Sequence, residues 1–131
     1  MNFTKQTRMI NVEIPRAKDL NSRGIVFGGW TLSQLDIAGS MEAWPVTNGH
    51  VTSKVDNVKF IRPILQDEMV YFLGEVTAIN QDRGEVQVHI DACIFENNEY
   101  IDVAQGDLTF VKVDENGKRV KLADFAEKNL F

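Results

Sequence analysis

Apolar and polar positions change rhythm twice along this chain. Residues 7–15 read as a strand carrying Met9, Ile10, Val12 and Ile14, and Pro15 ends its pairing. Residues 16–29, RAKDLNSRGIVFGG, are polar and glycine-rich, as a loop is. The period then becomes helical. Leu32, Leu35, Ile37, Ala38, Met41 and Trp44 recur at three- and four-residue steps. That spacing predicts a helix of about four turns over residues 29–44. Pro45 places its end at Trp44, because the residue before a proline disfavours helical angles. The charged residues of this helix are Asp36 and Glu42, so it is expected to be buried on most sides.

From residue 51 onward the period is two. Residues 51–61 alternate, and residues 69–79 place Val70, Phe72, Gly74 and Val76 on one face. Val86, Val88, Ile90, Ala92 and Ile94 oppose Gln87, His89 and Asp91, and residues 100–113 form a last long strand. Turn residues separate these runs: Gln66-Asp67, Asn80 to Gly84, Asn97-Asn98 and Asp114 to Gly117. The tail from about residue 118 is charged at first and reads as a short helix. Strands joined by short turns imply an antiparallel sheet. The expected class is α+β, with one long helix wrapped by a curved five-stranded sheet. One helix does not cover both faces of such a sheet, so a face or an edge calls for a partner chain.

At 131 residues the chain has the size of a single domain, 1–131. Its 44% hydrophobic and 25% charged content is that of a globular protein. The net charge of −5 argues against nucleic-acid binding by broad phosphate neutralisation. No apolar run approaches a membrane span, and the first residues carry no secretory apolar core. A single cysteine excludes an internal disulfide framework and fits the reducing cytoplasm, the expected location. Neither His50 nor His89 belongs to a metal-ligand spacing, and neither lies near the helix motif in sequence, so both read as structural or surface residues. Cys93 reads as a structural thiol. No phosphate-loop, dinucleotide or zinc motif is present.

Chemistry concentrates in one stretch. Gly28-Gly29 opens the helix, where free amides and the positive dipole end suit an anion or a developing oxyanion. Asp36 lies among apolar residues, where a carboxylate needs a partner or a purpose. Asp36 is seven residues past Gly29, about 10 Å along a helix axis. One substrate carbonyl does not reach both in one chain. If both serve one reaction, they come from different chains at a dimer interface.

These residues also resemble a known family. Asn21-x-x-Gly24-x-x-Phe27-Gly28-Gly29-Trp30, with Asp36 and Gly39 following, resembles hotdog-fold acyl-CoA thioesterases of the YciA type. The resemblance continues through Val55-Asp56-x-Val58-x-Phe60-Ile61-Arg62-Pro63 and ends at Thr109-Phe110-Val111-Lys112-Val113-Asp114. Gln66 stands where the family usually has glycine before Asp67. The resemblance implies a long helix wrapped by five antiparallel strands, and dimers that assemble into tetramers or hexamers. It implies hydrolysis of acyl-CoA without metal or redox cofactor. Asp36 would be the catalytic carboxylate. Asn21 would orient thioester or water from the other subunit, and Gly28 and Gly29 would bind the thioester oxygen. Phe27 and Trp30 would line the substrate site, and Arg62, Arg23 and Lys59 would meet coenzyme A phosphates, with ordinary solvation the competing reading for Lys59. Two alternatives stay open: acyl-CoA binding without hydrolysis, and another acyl-thioester reaction such as dehydration.

Overall fold

The computed structural model describes residues 7–122. Strand β1 (Arg8–Glu13) leads through a short 3-10 turn (Ala17–Asp19) to helix α1 (Gly28–Thr47). Strands β2 (His50–Phe60), β3 (Val70–Asn80), β4 (Glu85–Glu96) and β5 (Glu99–Lys112) follow. They form one sheet in the order β1-β3-β4-β5-β2, antiparallel throughout. Thus β2, which follows the helix directly, is an edge strand, and the chain returns to it through β5.

The inner face of the sheet is the one the alternation marked. Phe72, Val86, Val88, Ile90, Ala92, Leu108 and Phe110 are buried against Leu35, Ala38, Ala43 and Val46 of α1. Gly74 lies opposite Ile90, and a Cβ placed there would meet the His89 carbonyl oxygen at 2.2 Å. The neighbouring strand comes so close that no side chain fits.

Two expectations about α1 change. The helix does not stop at Trp44 but takes Pro45 into its last turn and runs to Thr47. One extra turn buries Val46 and Thr47, and Asn48 closes it in the left-handed region with its N–H on the Trp44 carbonyl. Nor is the helix buried on most sides. The sheet covers one flank, while Leu32, Ile37, Met41 and Trp44 are exposed on the other side. Among the described residues, the single helical layer leaves that stripe nothing to pack on. The tail differs as well. Arg119 bridges back to Val113, so residues 118–122 hold no helix, and residues 123–131 lie outside the described residues.

Glu42 is the one charged residue buried on the inner side of α1 among those described, and Arg8 of β1 neutralises it. On the outer face of the sheet, His89 Nδ1 lies 2.7 Å from Asp107 Oδ1 and its Nε2 3.1 Å from Asp91 Oδ1. The bond to Asp91, with that to Asp107, raises the imidazole to about 9 against the opposing cost of burial. Cys93 is buried, its thiol pushed up to about 12 chiefly by desolvation, which fits a structural thiol.

Two outcomes follow from this packing. Gly74→Ala should destabilise the fold by about 1–3 kcal/mol in denaturant titration, because the obstacle is backbone. His89 has a folded pKa above its unfolded value, so its contribution is complete below about pH 6.5 and fades as pH rises through about 9. Stability should therefore decline across that window, and His89→Gln should flatten the decline.

Candidate active site

The loop before α1 is built around Asn21. Its side-chain oxygen accepts the Arg23 N–H at 2.9 Å and the Ile25 N–H at 3.1 Å. Its backbone N–H donates to the Ile25 carbonyl at 2.7 Å, and Gly24 turns the chain at φ +75°. The Asn21 oxygen therefore holds the loop, while its NH2 group donates no hydrogen bond among the described residues.

This loop delivers the chain to the helix with Phe27 at the N-cap, a residue that supplies no side-chain cap. The N–H groups of Trp30 and Thr31 bond back to the Phe27 carbonyl at 3.1 and 3.4 Å. The amides of Gly28 and Gly29 make no hydrogen bond among the described residues, and both glycines are exposed. They form an open pair of donors at the positive end of a 20-residue helix. A cavity of about 340 Å³ adjoins them, lined by Gly28, Thr31, Phe60, Arg62, Ile64 and Val103 among others. It is mainly apolar, with the buried Thr31 in its wall.

Asp36 sits on the flank of α1 that faces the edge strand. Thr52 Oγ1 of β2 donates to Asp36 Oδ1 at 2.7 Å. The carboxylate is partly accessible in one protomer, not sealed among its apolar neighbours as the sequence pattern suggested. The reason is the free β2 edge beside it, where Val51, Val55, Phe60 and Ile61 are also exposed. Seven residues still separate Asp36 from Gly29 along a continuous helix, so the spacing of about 10 Å holds.

The sequence-selected residues thus fall into two groups. Asn21, Phe27, Gly28 and Gly29 gather at the start of α1, with Trp30 packed against the core, and Asp36 stands apart. Arg62 reaches the cavity wall but also pairs with Glu96 at 3.4 Å. Arg23 and Lys59 are exposed, on the loop and on β2.

Two residues near Asp36 escaped the sequence reading. Thr52 is one. His50 is the other: distant from the helix motif in sequence, it lies beside the helix in the fold. Its Nε2 lies 2.6 Å from Ser40 Oγ and its Nδ1 2.6 Å from Thr47 Oγ1. Burial lowers its pKa, and the Asp36 charge acts in the opposite sense. Sequence distance hid this contact, because only the hairpin-like return at Asn48-Gly49 brings the start of β2 back along the helix.

Comparison with known proteins places this arrangement. The thioesterase superfamily profile matches residues 23–92, from the end of the loop through the helix and strands β2 and β3 into β4. An uncharacterized acyl-CoA thioester hydrolase of Haemophilus influenzae is 31% identical over 104 residues, covering 76% of this chain and 68% of the relative. The acyl-CoA thioester hydrolase YciA of Salmonella typhimurium is 34% identical over 71 residues, and the match spans about half of each chain, 53%. A hexameric hotdog fold thioesterase of Campylobacter jejuni superposes with a TM-score of 0.79 at 25% identity, over 92% of this chain and 93% of the other. With the open amides at the helix start and the carboxylate on its flank, these matches lead to one assignment. The chain belongs to the thioesterase superfamily, as a hotdog-fold member of its acyl-CoA thioester hydrolases.

Proposed function

We propose that this chain hydrolyses acyl-CoA thioesters in a site completed by a second copy of itself. One observation carries the reading: two unbonded amides and a threonine-held carboxylate share one rigid helix, at about 10 Å from each other. In the proposed site, Gly28 and Gly29 of one protomer receive the thioester oxygen. The partner subunit's Asp36 acts at the carbonyl carbon, as general base toward water or as nucleophile. The exposed β2 edge and the apolar stripe Ile37, Met41 and Trp44 supply surface for such a dimer.

As general base, Asp36 takes a proton from water while the water oxygen bonds to the carbonyl carbon. Charge collects on the former carbonyl oxygen, on the Gly28 and Gly29 amides. Collapse breaks the carbon–sulfur bond, and the proton on Asp36 serves the departing thiolate. A positioned base contributes ~10²–10⁴-fold and one oxyanion donor ~10²–10³-fold. The Asn21 NH2 group, free of the loop bonds its oxygen makes, orients thioester or water. Phe27 and Trp30 flank the thioester. Arg62, Arg23 and Lys59 meet coenzyme A phosphates, with Arg62 exchanging its Glu96 partner. The chemistry draws on these groups without metal or redox cofactor. The single cysteine accords with a cytoplasmic setting, and the hexameric Campylobacter relative makes trimers of dimers the expected assembly.

The dehydration alternative places a histidine base at the substrate. Both ring nitrogens of His50 are engaged by Ser40 and Thr47, which disfavours it.

Thiol release from a panel of acyl-CoAs, short to long and aromatic, tests the reading. Asp36→Asn should lose ~10²–10⁴-fold in kcat and still bind substrate. Thiol release from no member of the panel, with binding intact, would favour the non-catalytic reading. A mixing experiment tests the shared site. Asp36→Asn and Asn21→Ala protomers, each inactive alone, should recover about a quarter of wild-type turnover when reassorted, since each mixed dimer regains one intact site of two. No recovery after verified subunit exchange would place both residues in one protomer's site.

A further inference from the structure

Strand β2 grips the Asp36 flank of the helix at two points. Thr52 donates to the carboxylate at 2.7 Å, and two residues earlier His50 meets Ser40, one helical turn beyond Asp36. Thr47 Oγ1 accepts the Gly49 N–H at 3.4 Å and lies 2.6 Å from His50 Nδ1, while Ser40 Oγ lies 2.6 Å from Nε2. A neutral imidazole has one donor and one acceptor, so it donates to one of these hydroxyls and accepts from the other. Either tautomer satisfies both contacts, and both tie the start of β2 to α1.

The ring is also fixed by packing. Phe110 stands edge-on at 4.8 Å and Trp44 at 5.8 Å between centroids. The charged groups around it are few. Asp36 acts from α1, and Lys112, the register partner of His50 on β5, places its ammonium on the Thr47 carbonyl oxygen.

We propose that neutral His50 is a positioning residue for Asp36, acting by tying to α1 the start of β2, the strand that brings Thr52 to the carboxylate, and that it loses this role when it is protonated. The proposal rests on the catalytic assignment of Asp36 made above. An imidazolium donates from both nitrogens. Whichever of the Ser40 and Thr47 hydroxyls donates to the neutral ring would then have to turn its hydrogen away, which breaks the present arrangement. A positive charge beside Asp36 would also stabilise the carboxylate and weaken it as a base. Burial holds the ring neutral to below its ordinary range, and Asp36 pulls the other way. The site would thus be competent at neutral pH and switch off on the acid side as His50 titrates.

Two measurements test this. The first is the pH profile of kcat/KM for wild type, His50→Gln, His50→Ala and Asp36→Asn. Gln keeps a hydrogen-bonding side chain that does not titrate, so the acid limb should move to lower pH with neutral-pH turnover largely kept. Ala should lose about tenfold in kcat with KM little changed, the scale of one positioned hydrogen bond. An unmoved acid limb in an active His50→Gln overturns the proposal. Turnover that survives Asp36→Asn overturns the catalytic assignment instead, so the two failures are distinguishable.

The second needs no activity. The chain has only two histidines, and His89 titrates far higher, near 9. Proton NMR titration of the ring signals should therefore resolve His50. Asp36→Asn removes a charge that favours the imidazolium, so the His50 pKa should fall further. An unchanged value would show the two groups uncoupled and would contradict the proposal.

Discussion

A single rigid helix sets the terms for everything else in this molecule. Its backbone is helical from Gly28 to Thr47, with Pro45 removing a ladder bond only in the last turn, so the distance from the open amides to Asp36 is not adjustable. Neither end of that spacing suffices for acyl transfer. In the proposed chemistry the amides bring oxyanion stabilisation without a base, and the carboxylate brings a base without an oxyanion site. The same helix exposes an apolar stripe, and the strand beside Asp36 is an open sheet edge. Incomplete chemistry and incomplete packing thus lie on the same side of the protomer. In the proposed function, association with a second copy answers both and ties activity to oligomeric state.

Much of this architecture was legible in the residues themselves. Alternation located β3 and β4 and named their inner faces, because one side of each strand is buried and the other is not. The helix was legible from its period, but its end was not. Pro45 is tolerated in a final turn when the residues beyond it, Val46 and Thr47, have a core to enter. The mistaken expectation of an all-round buried helix has a related cause. A shortage of charges does not distinguish burial inside a protomer from burial between protomers.

The site divides the same way. Asn21, Gly28, Gly29 and Asp36 stand out because they break the local pattern: a turn residue, two glycines at a helix start, a carboxylate among apolar neighbours. Thr52 and His50 break no pattern in an alternating strand. Their place beside Asp36 is created by the fold, when β2 turns back along α1. The two histidines show how strongly context decides. His89, between two aspartates, is held protonated, and His50, packed between aromatic rings and hydroxyls, is held neutral. Sequence alone offered no means to separate them.

The central claim is that one substrate bridges two copies of this chain. A crystal structure of the Asp36→Asn variant with an uncleaved acyl-CoA tests it most directly. The account predicts the thioester oxygen within hydrogen-bond distance of the Gly28 and Gly29 amides of one protomer. The carbonyl carbon should face residue 36 of the other. A thioester enclosed by residues of a single protomer, or seated away from the start of α1, would contradict it.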